Sequence, residues 1–214
     1  MTDRDSGRNR GDRDAPAAAA AIAAGAALFN EGRFLAARDA WSAGRRSLGD
    51  DRDGADSDDG DRDTPDDERL RRALAATAAA THRAADGDRS GAAERADDAV
   101  ATLTGVSDPR GVELTPVREW AERLAADPRG VESADAPRIR VDGETPDFDD
   151  LSLAAAGVAA SALAGAGEPG DPETLATAAD FAAEERGTGR TEFAELVFAY
   201  LRTPDARPQV AARL

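Results

Sequence analysis

One stretch of the chain decides the fold: Leu28-Phe-Asn-Glu-Gly-Arg-Phe-Leu-Ala-Ala-Arg-Asp-Ala-Trp41. An alanine-rich helix leads into it from about Ala15 or Pro16 and is predicted to end at Asn30 and Gly32. Both of these residues tolerate the left-handed backbone that a helix C-terminus commonly needs. The stretch therefore predicts a sharp corner after the first helix.

A second helix is predicted beyond this corner, from about Arg33 to Leu48. Phe34, Ala37 and Trp41 fall at spacings near one helical face. That face is expected to pack against the first helix. The two helices then form an antiparallel hairpin with Phe34 and Trp41 in the seam.

Alanine dominates the apolar residues of the chain. Hydrophobic residues make up 41% of the 214 residues, but aromatic residues make up only 4%. The core therefore needs closely packed helices with small side chains, and alanine has the highest intrinsic helix propensity. We predict an all-α fold of antiparallel helical hairpins, a tetratricopeptide-like bundle, with additional C-terminal helices.

The charge of the chain is strongly negative, with 43 acidic residues against 27 basic ones and a formal net charge of -16. Every basic residue is arginine, because the sequence contains no lysine. Such acidic surfaces are typical of proteins from salt-loving organisms, where charges are screened over about 3 Å at 1 M salt. An ordinary acidic protein is the alternative interpretation.

Nucleic acid is not expected as a partner, because its phosphates require a basic face. The local basic clusters are Arg45-Arg46 and the group Arg69, Arg71 and Arg72. Each cluster has acidic neighbours in the sequence. Both are therefore interpreted as solvated helix faces.

Residue types also limit the kinds of site. The chain has no cysteine and a single histidine, His82, which leaves no disulfide, thiolate or multi-histidine zinc site. No cofactor is expected.

The N-terminus lacks a basic region before an apolar run, and the apolar stretch 151–167 is too short and too rich in small residues for a membrane span. We therefore expect a cytoplasmic protein without membrane contact.

Composition also divides the chain into regions. Residues 1–14 are polar and are predicted to form a disordered tail. A helical domain is predicted over residues 15–105, interrupted by a disordered acidic loop at 49–64, and a C-terminal helical region over 112–214. The glycines of the loop do not fit the calcium pattern D-x-D-x-D-G, so a solvated insertion is preferred to ion binding.

Caps and helix breakers predict the later elements. Thr115-Pro116 and Asp171-Pro172 are each expected to begin a helix. Residues 138–141 can form a short extended piece. Thr191 is predicted to cap the most regular helix, which ends at Pro204 and leaves a C-terminal tail.

Two segments of the chain, residues 29–41 and 85–99, repeat each other loosely. Each reads as a helix, a turn containing glycine, and a second helix, with small residues where the helices would cross. This arrangement is typical of tetratricopeptide-like hairpins, which bury their faces by stacking.

The first segment also carries a family resemblance. Its pattern Phe29-Asn30-x-Gly32-x-Phe34-x-x-Ala37-Arg38-Asp39-x-Trp41 resembles the domain of unknown function 309, whose usual pattern is F-N-x-G-x-[FY]-x-x-A-H-E-x-[LW]-E-x-x-W. An alanine-rich helix ending in His82 and the run Gly87-Asp-Arg-Ser-Gly-Ala92 extend the resemblance over about residues 15–105. The resemblance implies a small helical fold and no established activity.

The chain departs from the family pattern where chemistry could lie. The His-Glu pair of the family is Arg38-Asp39 in this sequence, the later Glu is Ser42 and the final Trp is Arg45. Any catalytic or metal-binding role of the His-Glu pair in relatives is therefore in doubt here.

One candidate pocket combines Arg38, Asp39 and Trp41 of the second helix with His82 across a helix pair. Arg38 and Asp39 are adjacent, so their side chains are expected to diverge by about 100° and not to face one point. We prefer a structural interpretation, with an ion pair at the edge of the core and a hydrogen-bonded histidine. No catalytic or metal-ligating residue is predicted.

Two hypotheses for the function follow from these features. In the first, the chain is a non-catalytic protein whose concave face between hairpins binds a protein or peptide segment, or a second copy of itself. In the second, it is a hydrolase or metal-dependent enzyme that uses His82 with Asp39 or nearby carboxylates. No nucleophile elbow, phosphate-binding glycine loop or zinc signature supports the second.

Overall fold

The structure is a computed structural model that describes residues 8–46, 66–129, 136–184 and 192–214. Within these ranges it contains nine α-helices packed against one another and no strand, so the predicted all-α fold is confirmed. The helices are α1 (Arg8–Asn30), α2 (Phe34–Arg46), α3 (Asp66–Ala85), α4 (Arg89–Thr104), α5 (Leu114–Ala126), α6 (Leu153–Gly165), α7 (Pro172–Glu184), α8 (Glu192–Arg202) and α9 (Arg207–Ala211).

The first corner lies between α1 and α2, as predicted, and it turns on Gly32. This residue has a φ of 72°, in the left-handed region that only glycine adopts at little cost. The N–H of Gly32 donates to the carbonyl of Phe29, and the N–H of Arg33 donates to that of Leu28. These two bonds form a Schellman motif, which pairs the last carbonyls of the helix.

The second corner, between α3 and α4, repeats this geometry. Gly87 has a φ of 79°, and the N–H groups of Gly87 and Asp88 donate to the carbonyls of Ala84 and Arg83. The Asp88 carboxylate then accepts the N–H of Gly91 at 3.0 Å and caps α4. The loose repeat in the sequence therefore corresponds to two hairpins with the same corner.

The seam of the first hairpin is built around Trp41, as predicted. Its side chain is buried, and its ring lies over Gly25 of α1. The indole N–H points to the carbonyl of Ile22 at 3.4 Å. Phe29 lies between the two other aromatic rings of the seam, with centroids 4.9 Å from Phe34 and 6.2 Å from Trp41.

Asn30 acts differently from the prediction, because its backbone stays helical. Among the described residues other than glycine, only Arg110 and Asp142 have a positive φ. The Asn30 side chain instead reaches a distant segment: Oδ1 accepts the N–H of Ile139 at 2.7 Å, and Nδ2 donates to the carbonyls of Ile139 at 3.0 Å and Pro146 at 3.1 Å. Asn30 thus fastens the segment after α5 onto the first hairpin.

This fastened segment contains the predicted extended piece. Residues 138–140 are irregular, with Ile139 buried, and Val141 forms isolated antiparallel bridges to Val112 and Glu144. The piece is therefore extended but too short to count as a strand.

The C-terminal helices pack onto both hairpins. α5 contacts α3 and α4, whereas α6 contacts α1 and α2 on the hairpin side and also packs against α7 and α8. One hydrophobic cluster contains residues of α1–α4 and of α5–α9. The core therefore continues across residues 105–111, and the division into regions 15–105 and 112–214 stays a prediction.

An arginine and a glutamate tie the C-terminus to the first corner. Glu168 lies between α6 and α7 and accepts a hydrogen bond from Arg33 at 2.9 Å. Arg207 is buried, with Nη1 3.0 Å from Glu168 Oε2 but not at a hydrogen-bonding angle, so this pair is chiefly electrostatic. The Arg207 Nε donates to the carbonyl of Tyr200 at 3.0 Å.

Several predicted boundaries are wrong. α1 begins at Arg8, so residues 8–14 belong to a helix rather than to the predicted tail, and the helix runs through Pro16. α5 begins at Leu114 after Glu113, so Thr115 lies inside its first turn and does not cap it. The predicted C-terminal tail contains a 3-10 turn and α9. Residues 1–7, the acidic loop 49–64 and Thr191 lie outside the described residues.

Candidate functional site: an arginine-lined groove

A groove of about 570 Å³ runs between α2 and α4, with α3 as its floor. α3 packs closely against both α2 and α4, but these two helices flank it without close packing between them. Ala75, Ala76 and Ala79 of α3 line the groove. Because alanine is the smallest side chain that still favours helix, the middle of α3 leaves a depression between its neighbours.

Four arginines surround this alanine floor: Arg38 from α2, Arg72 and Arg83 from α3, and Arg95 from α4. Arg72 and Arg83 are eleven residues apart, which at 100° per residue returns them to within about 20° of the same helical face. One aspartate, Asp98, also lines the groove. The groove thus has four guanidinium groups around an apolar floor.

Each arginine has a carboxylate partner at the rim. Arg38 Nη2 lies 2.7 Å from Asp39, Arg72 Nη2 3.4 Å from Glu68, Arg83 Nη1 2.7 Å from Asp88 and Arg95 Nη1 3.1 Å from Asp98. The arginine side chains are 40 to 47% exposed. Such exposed pairs contribute little net stability because water and salt screen them.

The corner between α3 and α4 lowers the pKa of one of these carboxylates, Asp88. The N–H of Gly91 and the guanidinium of Arg83 both donate to Asp88. These hydrogen bonds hold the pKa of Asp88 below its usual value, with the backbone bond as the larger cause. Asp88 therefore stays ionised at neutral pH and fixes Arg83 at one end of the groove.

The four residues of the predicted pocket do not converge. Arg38 lines the groove and binds Asp39, whereas Trp41 points into the seam of the first hairpin. His82 Nε2 lies 3.4 Å from Asp86, which follows the last residue of α3, and neither is a groove-lining residue.

The expectation that Arg38 and Asp39 diverge was wrong. The Nε and Nη2 atoms of Arg38 donate to the same oxygen of Asp39, at 3.0 Å and 2.7 Å. The arginine side chain is long enough to fold back to the neighbouring carboxylate although the two Cβ atoms point apart. The preferred interpretation as an ion pair at the edge of the core agrees with this contact.

The predicted solvated face at residues 69–72 was also wrong in part. Arg69 donates to the carbonyl of Gly105 at 3.2 Å, and Arg71 points to that of Trp41 at 3.5 Å. Arg72 alone of the three lines the groove. The grouping of Arg72, Arg83 and Arg95 was not predicted, although the eleven-residue spacing of Arg72 and Arg83 across an alanine run is a readable signal.

In the described part of the chain, no group of three or more histidine, aspartate or glutamate side chains is arranged to hold a metal ion. Nor does any described helix have the length and apolar character needed to cross a membrane.

Comparisons with known proteins add no relative. No protein-family model matches the chain, and neither a curated protein nor a solved structure matches it. The resemblance to the domain of unknown function 309 therefore stays a prediction.

Proposed function

We propose that this protein is a non-catalytic binding module and that the groove between α2 and α4 holds a peptide segment of a partner protein. The observation that supports the proposal is the groove itself, with its alanine floor and four arginines. A groove between helices is a recurring site for peptides, where a flat floor admits the backbone and the rim supplies specificity.

The alternative of an enzyme that uses His82 has weaker support. The carboxylate of Asp86, in the turn after α3, is 3.4 Å from His82 Nε2, and the Asp86 side chain is 64% exposed. This separation is longer than a good hydrogen bond, and the pair lies outside the groove. Binding therefore has better support than acid–base catalysis.

We also propose that the protein works in a salt-rich cytoplasm and is related to the domain of unknown function 309. The net charge of -16 and the absence of lysine support the first point. The Phe29–Gly32 corner supports the second, because its phenylalanine packs in the seam and its glycine makes the turn. Stability that rises with KCl concentration would support the saline setting, because salt screens repulsion between like charges.

The binding proposal is tested by selecting peptides from a phage-displayed random library on the immobilised protein in molar KCl. Selected peptides are then measured against two variants. Ala101→Trp places an indole on an exposed residue that lines the groove, and Ala154→Trp places one on an exposed residue of α6 outside it. Circular dichroism verifies that both variants are folded.

We expect selected peptides to bind the wild type and Ala154→Trp equally, and Ala101→Trp at least tenfold more weakly. Peptides that bind all three proteins equally would place the site elsewhere and refute the proposal. A selection that yields no binding peptide, or a dimer in light scattering that Ala101→Trp dissociates, would also refute it.

A further inference from the structure

Resting on the proposed function, we infer that the groove holds an aromatic side chain of the partner segment, with the ring on the alanine floor and against the faces of guanidinium groups. Three observations support this inference: the arginines of the groove are paired through their edges, their faces have no ring, and arginines elsewhere in the chain bind a carboxylate and a ring together.

The charges around the groove are already balanced. Each of the four arginines lies within 3.4 Å of a carboxylate, and one of these carboxylates, Asp98, lines the groove itself. An anionic ligand would have to compete with the carboxylates already in place. A neutral ligand meets no such competition, and the net charge of -16 does not repel it.

The pairing uses the edges of the guanidinium groups. Arg38 binds Asp39 through Nε and Nη2, whereas Arg83 and Arg95 each bind their carboxylate through Nη1. These N–H bonds lie in the guanidinium plane, so a carboxylate at the edge leaves the faces to other neighbours. The three arginine side chains are 42, 44 and 47% exposed, and no aromatic ring of the described residues lies over them.

Two other arginines of the chain combine a carboxylate with a ring. Arg202 Nε lies 2.5 Å from Asp149, and the Cζ of Arg202 lies 5.1 Å from the ring centroid of Phe198. Arg207 Nη1 lies 3.0 Å from Glu168, and the Cζ of Arg207 lies 5.6 Å from the centroid of the tyrosine ring in α8. A guanidinium within about 6 Å of a ring centroid is attracted by the π-system. An arginine paired at its edge can therefore still bind a ring.

The floor also favours a ring over a polar group. Ala75, Ala76 and Ala79 carry no polar side-chain atoms, so a ring that lies on them buries apolar surface on both sides of the contact. The groove volume of about 570 Å³ leaves room for a bulky side chain. Tryptophan is the expected occupant, because its ring binds cations best.

The experiment compares short peptides of glycine and serine that differ at one central residue, which is tryptophan, cyclohexylalanine or aspartate. Cyclohexylalanine is the matched control, because its ring is apolar and bulky but has no π-system. Affinities come from NMR titration of the protein in molar KCl, since a fluorescent dye would itself offer an aromatic ring. The methyl protons of Ala76 and Ala79 should shift upfield with the tryptophan peptide through its ring current.

The protein variants are Arg38→Gln, Arg95→Gln and the control Arg213→Gln. Arg213 is exposed and paired with Glu192, on a segment that does not contact α2, α3 or α4. Circular dichroism verifies that the variants are folded. Unchanged affinity for the cyclohexylalanine peptide shows that the groove keeps its shape.

We expect the tryptophan peptide to bind at least about threefold more tightly than the cyclohexylalanine peptide and more tightly than the aspartate peptide. Arg38→Gln and Arg95→Gln should each weaken the tryptophan peptide by about two- to fivefold, as loss of an exposed cation–π contact predicts, and Arg213→Gln should not. Equal affinity for the tryptophan and cyclohexylalanine peptides overturns the inference. Tighter binding of the aspartate peptide, or equal loss in Arg213→Gln, also overturns it.

A second copy of the chain is the other possible source of a ring. Phe181 is 52% exposed, and it is the one large apolar side chain that is exposed among the described residues. If Phe181 of a second copy occupied the groove, light scattering would show association of the wild type, and Phe181→Ala would be monomeric. That result would overturn both the inference and the proposed function.

Failure of this inference alone is distinguishable from failure of the proposed function. If library peptides depend on Ala101 but the tryptophan and cyclohexylalanine peptides bind alike, the groove holds peptides through other contacts and only the inference falls. If no peptide depends on Ala101, both fall.

Discussion

Gly25 and Trp41 provide a test of how tightly the first hairpin is packed. A Cβ atom added at Gly25 would lie 2.3 Å from both Cε2 and Nε1 of Trp41 and 2.7 Å from its Cδ1. The indole is only 1% exposed, so a shift of its rigid ring away from Gly25 disturbs the packing around it. We therefore expect Gly25→Ala to destabilise the protein, although alanine is the better helix former.

The size of the effect follows from two opposing contributions. Overpacking costs about 3 kcal/mol, at the upper end of the usual range because rigid ring atoms must shift. The change from glycine to alanine inside a helix returns about 1 kcal/mol. The free energy of unfolding should therefore fall by about 2 kcal/mol, and the midpoint of thermal unfolding by about 4–8 °C for a chain of this size.

Urea unfolding followed by circular dichroism in molar KCl measures this difference. Gly165→Ala is the matched control, because its nearest neighbour, Pro172 Cγ, lies 4.0 Å away and leaves room for a methyl group. In a Trp41→Leu background the indole is gone, and Gly25→Ala should no longer destabilise. A Gly25→Ala protein as stable as the wild type would show that Trp41 does not pack over Gly25, and would refute the described seam.

Three further predictions concern other contacts. In urea unfolding, Asn30→Ala should lower the free energy of unfolding by about 1–3 kcal/mol, because it leaves the buried backbone of Ile139 without its partners. Asn30→Asp, which cannot donate a hydrogen bond, should be at least as destabilised. Two variants of wild-type stability would contradict the hydrogen bonds from Asn30. Asp88→Asn should lower the thermal midpoint at pH 7. Because the pKa of Asp88 is lowered in the folded protein, its contribution to stability is complete above the unfolded pKa of about 4 and is lost as the pH falls through the folded value. The thermal midpoints of the wild type and Asp88→Asn should therefore converge in acid. A constant difference between the two midpoints down to the lowest pH would exclude this linkage. Arg207→Met should cost about 1–3 kcal/mol by leaving the Tyr200 carbonyl unpaired, and unchanged stability in the same urea assay would argue against that contact.

The corners of the hairpins could be predicted from the sequence because their causes are local. A left-handed residue is needed where a helix reverses, and Gly32 and Gly87 stand at those positions. The burial of Trp41 was predicted for a similar reason, since its spacing from Phe34 and Ala37 repeats at helical intervals. Each of these inferences uses residues within about ten positions of one another.

The contacts that were missed join distant parts of the chain. Asn30 binds backbone atoms of Ile139 and Pro146, and no residue type marks a segment whose backbone will receive a side chain. The groove combines Arg38 with Arg95 across α3, and these two arginines lie far apart in the sequence. Only the packing of the helices decides which of those arginines face a common surface.

The measurement that tests the central claim most directly is a titration of the protein, labelled with ¹³C at its alanine methyl groups, with a peptide selected from the phage-displayed library. We expect the methyl resonances of Ala75, Ala76 and Ala79 to shift together and saturate with one affinity, while the methyl resonance of Ala154 stays unchanged. Saturated binding that leaves the three floor methyl groups unshifted, or that shifts residues of α7 and α8 instead, would contradict the assignment of the groove as the binding site.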